Sequence, residues 1–295
     1  MRALAEYIMR GRKQATLAVA VSTAVPLLFW LGAAALALIV LRRGLADAMP
    51  VMVWGALPAL AWAFVGDLTP LLVLAGSVGL AVLLRQRSDW LPVVLAAVPL
   101  GLVYALVLML FLAEPLQALA GQIQQLLPQM LGELDSAVLA RLERLLVPLL
   151  AGLMGAVHAM MALVALMIGR SWQAGLYNPG GFRQEFHRLR LPSVAAIVLL
   201  ALTVFGPQFG QLALLSPVAS VPLVLAGLAL VHGVVGLKGL GSAWLVVTYV
   251  LLLVFAQFAF PLIMLLAFVD SLFDFRSRMA PAQGPRNGDD SNDRD

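Results

Sequence analysis

The sequence predicts an all-α fold, a polytopic transmembrane bundle of about eight to ten spans with both termini cytoplasmic. Three observations lead there. Hydrophobic residues make up 62% of the 295 residues and charged residues only 12%, a balance far from that of a soluble domain. The apolar residues form repeated runs able to cross a hydrocarbon core of about 30 Å. The basic residues sit in short clusters between those runs. One transmembrane domain over 1–278 is expected, followed by a tail, 279–295, whose Pro, Gly and Asp content predicts disorder.

Apolar runs divided by charged or Pro/Gly breaks predict spans near 15–28, 30–41, 50–66, 68–84, 91–113, 145–169, 191–206, 218–237, 242–257 and 259–273. The first two and the last two are short, so each pair reads as a hairpin or as one long helix kinked at Pro26 or Pro261. Arg2, Arg10, Arg12 and Lys13 precede the first run as in a signal peptide. The run outlasts a normal signal core, which predicts an uncleaved first span. The segment 114–145 carries Leu116, Leu119, Ile123, Leu127 and Leu131 at helical spacing between polar residues, and Leu142 and Leu145 further on. It is predicted to be an amphipathic helix on the outer interface or capping the bundle, broken at Pro128.

Charge sets the orientation. With ten crossings and the N-terminus inside, all of the 19 basic residues except Arg141 and Arg144 fall on the inner side. That asymmetry is the positive-inside pattern, and it predicts a bacterial inner membrane as the location. The sequence pI of about 10.0 therefore reports membrane topology, and no nucleic-acid partner is expected. The chain has no cysteine, which removes disulfides, thiolate metal sites and cysteine nucleophiles.

Between two runs stands NPGGFRQEFHRLRLP, residues 178–192. Asn178-Pro179-Gly180-Gly181 is a stop-and-turn signal. Phe182, Phe186 and Leu189 then share one helical face, and Arg183, His187 and Arg190 share another, with Glu185 in reach of Arg188. The segment 178–191 is predicted to be a cytoplasmic interfacial helix, its aromatics at headgroup level and its arginines on lipid phosphates. The alternative is that Phe182, Arg183, Glu185, Phe186, His187 and Arg190 dock a protein partner.

NPGGF, then EFHRLRLP opening a span, then DSLFDFRSR closing the last one, resemble the YybS-type family of uncharacterised bacterial membrane proteins over roughly residues 10 to 280. That family is similar, more distantly, to the S components of energy-coupling-factor transporters. The resemblance implies a compact helical bundle binding a small molecule near its outer face. It also implies docking onto a membrane-embedded energising module with its own ATPases, partly through small residues of the first helix. Thr16, Ala20 and Ala24 offer such a stripe.

Ionisable residues inside spans are functional candidates by cost alone. They are His158, beside the small stripe Ala151, Gly155 and Ala159; His232, near Ala229, Gly233 and Gly236; and Asp270, one turn before Asp274. Each histidine is expected to be a neutral imidazole bonded to a neighbouring helix. Asp270 and Asp274 should pair with Arg276 and Arg278. Asp67 sits in the outer turn VGDLTP, where such a residue closes a turn. Ligand binding would need His158, Asp67 or the outer-end Gln208 and Gln211 to converge in one cavity. No HExxH, GxSxG or P-loop occurs, nor paired aspartates on separate spans, so neither an enzyme nor a bound metal or cofactor is expected. Two functions follow as expectations: a small-molecule-binding, transport-related component without its own ATPase, or a scaffold or regulator recruiting partners through its cytoplasmic and outer helices.

Overall fold

The computed structural model describes residues 2–132 and 135–279, and the fold they build is all-helical. The predicted tail beyond Met279 lies outside the described residues. A short helix, α1 (Arg2–Met9), precedes α2 (Arg12–Ala24). Val25, before Pro26, is extended at φ −87° and ψ 123°, as the proline ring demands of its neighbour, and it ends α2. The chain then reverses into α3 (Phe29–Arg43). A Cβ on Gly32 would lie 3.2 Å from the Val19 carbonyl, so α3 runs back along α2 and the first pair is a hairpin.

The next predicted span is two pieces, α4 (Leu45–Gly55) and α5 (Leu57–Phe64), bent by 47° at their junction. Thr69 N–H donates to Asp67 Oδ1 at 2.9 Å, opening α6 (Thr69–Arg87). Asp89 caps α7 (Trp90–Phe111) by accepting from Leu91 N at 3.1 Å. The outer segment differs from expectation. Helix α8 (Ala113–Leu131) runs through position 128 unbroken, and the break comes after it at Gly132, with φ 74°. Asp135 then caps α9 (Ser136–Tyr177), so the second half of the predicted amphipathic helix belongs to a continuous helix of 42 residues.

After α9 come α10 (Gly181–Arg188) and α11 (Ser193–Phe205). A 3-10 segment, 206–214, loses helical geometry at Phe209 and Gly210 and leads into α12 (Leu215–Leu237). The Ser216 hydroxyl donates to the Thr203 carbonyl at 2.5 Å, folding α12 back along α11. Last come α13 (Ala243–Val254), α14 (Ala256–Phe273) and α15 (Phe275–Met279). Because α13 leaves and α14 returns to the same end of α12, the last pair is also a hairpin.

Among the described residues, five helical stretches are long and apolar enough to cross a membrane, six when the bent α4–α5 pair counts as one. One of the five, 193–237, is the folded-back pair α11–α12. The total is fewer than the eight to ten spans expected, because several predicted runs form helices too short to cross: α2 has 13 residues, a rise of only about 20 Å, and the apolar α13 has 12.

Two helices form the centre. In α3 every residue from Gly32 to Leu41 is buried, the mark of a helix surrounded by others. Helix α9 packs on α3, α6, α7 and α12, and its small residues set the distances. Ala151, Gly155 and Ala159 are all buried; a Cβ on Gly155 would lie 2.3 Å from the Gly101 carbonyl of α7. The predicted stripe on α2 is displaced by one residue: Ala15, Val19 and Thr23 are buried, whereas Ala24 is exposed. On α8, Leu116 and Ala120 turn inward against α7 and α9.

Candidate functional site

Among the described residues, four arginines of the predicted inner side serve helix ends. A helix leaves its last four carbonyls without partners and carries negative charge there. Arg43 donates to Met9 O of α1 at 2.6 Å. Arg85 donates to Leu41 O of α3 at 2.7 Å, and Arg276 to His187 O of α10 at 2.7 Å. Arg190 closes α14, donating to Asp270 O at 3.0 Å and to Ser271 O at 2.9 Å. On the predicted outer side Arg141 bonds Gln208.

Helix α10 has its apolar face packed onto α9 and α12. Phe186 and Leu189 are buried. Phe182 stacks on Phe186 at 5.9 Å and meets Trp90 at 5.8 Å, while Phe186 meets the His232 ring edge-on at 5.4 Å. Glu185 does not pair with Arg188. It forks with Arg170 of α9, whose Nε lies 3.0 Å from Oε2, and it accepts from Trp90 Nε1 at 3.0 Å. The fork makes better use of both oxygens than a surface pair would.

Asp270 is 2% exposed. Its Oδ1 accepts from Phe275 N at 3.0 Å and its Oδ2 from Arg276 at 2.8 Å. Asp274 takes the left-handed conformation, φ 47°, and pairs with Arg190 at 3.1 Å; the predicted partner Arg278 is exposed. These bonds tie α10, α14 and α15 into one unit.

Beside that unit an open cleft of about 860 Å³ lies between α10, the C-terminal turn of α12 and the start of α15. Arg183, His187, Arg188, Arg190 and Arg276 line it with Asp274. Gly233 and Gly236 give the cations room: a Cβ on Gly236 would fall 2.6 Å from the His187 ring, and one on Gly233 would fall 3.1 Å from Arg276 Cδ. A second cleft, about 490 Å³, shares Arg188 and Arg190 and reaches Asp89 and Glu185. Among the described residues, Arg183 and Arg188 are exposed and make neither an ion pair nor a hydrogen bond. Such a cleft can hold an anion against planar guanidinium donors.

Burial, and then the positive charges of Arg183, His232 and Arg276, hold the His187 pKa below its ordinary value. Between that lowered value and about 6.5, unfolded chains bind more protons at this position than folded ones, so stability rises with pH across that window and is complete above it. Acidification from pH 7.5 to 5.5 is therefore expected to lower the melting temperature more in the wild type than in His187→Gln. Equal shifts in thermal unfolding would contradict this.

The other predicted residues do not join the cleft as ligands. His158 lies in the opposite half, with Nδ1 2.6 Å from Met154 O and Nε2 3.2 Å from Thr69 Oγ1. Thr69 also binds Asp67 through its N–H, so these polar groups satisfy one another. Gln208 and Gln211 are exposed and apart from them. Gln208 lines a cleft of about 480 Å³ with Arg141 and Arg144, which neither His158 nor Asp67 lines. His232 bonds Tyr249 Oη of α13 at 2.9 Å and stands behind His187. Sequence reasoning missed Arg170 and Trp90 as partners of Glu185, and missed Arg188 as a cation without a partner among the described residues; the shared face of Arg183, His187 and Arg190 and the glycines Gly233 and Gly236 were the signals of the cleft.

No protein-family model, no curated protein and no solved structure matches the chain.

Proposed function

We propose that this membrane-embedded helical bundle is a small-molecule-binding, transport-related component of a bacterial inner membrane, lacking its own ATPase. Its binding element is the basic cleft beneath α10, on the cytoplasmic side. One observation carries the reading: Arg183, His187, Arg188 and Arg190 from one stretch and Arg276 from another meet on one cleft, and two of the guanidiniums have no partner among the described residues. Unpaired like charges held together are unfavourable unless something anionic completes them. The resemblance to the YybS-type family, and through it to S components, supports a role beside a separate energising module. The cleft's position departs from the outer-face pocket of S components.

A second reading, a scaffold, is favoured by the opposite end. Helix α9 has 42 residues, about 63 Å at 1.5 Å each, twice the hydrocarbon core. Its first turns and α8 leave Leu119, Leu126 and Val138 exposed at 43%, 48% and 46%, a patch suited to a partner.

Native mass spectrometry of the protein released from its own membrane separates the two. The transport-related reading expects a stoichiometric anionic adduct, lost in Arg183→Ala/Arg188→Ala, and an ATPase module in the same preparation. Adducts that are identical in both variants, alongside unrelated partners, would replace it with the scaffold.

A further inference from the structure

Helix α10 has a cation face and an aromatic face, and each borders a different cavity. Arg183 and His187, one turn apart, line the basic cleft. Phe182 and Phe186, also one turn apart, line an apolar crevice of about 510 Å³ between α9, α12 and α13. His232 separates the two: its ring lies 5.4 Å from Phe186 on the crevice side and 6.5 Å from His187 on the cleft side. The crevice follows α9 from Ser171 through Met167 and Val164 to Met160, a rise of about 17 Å toward the middle of the bundle. Its methionines are flexible, polarisable walls that adapt to a hydrocarbon chain.

Resting on the reading that the cleft binds an anion, we infer that the ligand is an amphiphile: a phosphate headgroup in the arginine cleft and a hydrocarbon chain in the crevice. Phosphate fits because guanidinium forks bond two of its oxygens at once. A soluble phosphate would use the cleft and leave the crevice empty, so the chain is what identifies the class. A ligand that fills both passes the His232 ring, which stands between headgroup and chain.

Calorimetric titration of the full-length protein in maltoside micelles tests this with three probes: dihexanoyl phosphatidic acid, glycerol phosphate and dihexanoyl phosphatidylcholine. The phosphatidic acid is expected to bind at least about tenfold more tightly than either of the others, since glycerol phosphate lacks the chains and phosphatidylcholine carries a zwitterionic phosphodiester in place of the anionic phosphomonoester. Arg183→Ala/Arg188→Ala should weaken it by about tenfold or more. Ser171→Phe, at an exposed position of the crevice wall, should weaken phosphatidic acid and leave glycerol phosphate unchanged; Val164→Trp, 42% exposed, serves the same purpose should Ser171→Phe not fold. Glycerol phosphate binding as tightly as phosphatidic acid would overturn the amphiphile while keeping the anion site. Phosphatidylcholine binding as tightly would overturn it through the headgroup. Binding of neither phosphate would overturn both this inference and the reading beneath it.

Discussion

Replacing Asp270 with alanine is expected to cost about 3 kcal/mol of folding stability, the usual price of stranding a buried charge. Arg276, the stranded partner, has a side chain only 10% exposed. The substitution also releases the Phe275 N–H, which the carboxylate holds at 3.0 Å. Because Arg276 reaches on to the end of α10, α10 should loosen as well. Thermal unfolding in micelles would read the loss, and limited proteolysis would read the loosening at residues 178–192. Asp270→Ala/Arg276→Met should recover part of the stability, since apolar residues of similar volume replace buried pairs at little cost. A melting temperature equal to wild type in the single variant would contradict the assigned role.

The second large effect is expected at the α7–α9 contact. A Cβ on Gly155 would sit 2.3 Å from the Gly101 carbonyl, 2.9 Å from Ala105 Cβ and 3.0 Å from Ala105 N. Two of those three atoms are backbone, so no rotamer change relieves the clash and the helices must separate. Gly155→Ala should lose about 3 kcal/mol, the upper range for overpacking. Gly79 is the control, with nothing within 4 Å of its would-be Cβ. Gly79→Ala should gain about 0.5–1 kcal/mol from helix propensity. Similar unfolding curves for the two variants would show that the α7–α9 spacing is not set by Gly155.

These two sites mark what was legible in the sequence. Gly155 stood out, because small residues at i and i+4 beside His158 announce a close helix approach before any partner is known. Some helix ends were legible for the same local reasons: Pro26 bars helix at Val25, and Gly180 breaks the chain after α9. The outer segment misled because Pro128 reads as a breaker, whereas the chain turns at Gly132 and Asp135. The site was only half legible. Periodicity showed that Phe182, Phe186 and Leu189 share a face, and left open what covers that face. The answer depends on Trp90 and His232, which lie far away in sequence. Glu185 made the same point: Arg188 was the neighbour in sequence, but Arg170 approaches across α9 with both nitrogens. Charge counting placed the arginines on one side. It could not distinguish those that cap helices from Arg183 and Arg188, which have no partner among the described residues.

The central claim is that the chain crosses a membrane with its arginine-rich end and cleft in the cytoplasm. Since the chain has no cysteine of its own, single-cysteine labelling in intact cells tests it most directly. Gln184 beside the cleft and Gln211 at the opposite end are both exposed. An impermeant maleimide is predicted to label Gln211→Cys in intact cells, and Gln184→Cys only after the membrane is opened. Labelling of both from the same side, or of Gln184→Cys alone in intact cells, would contradict the account.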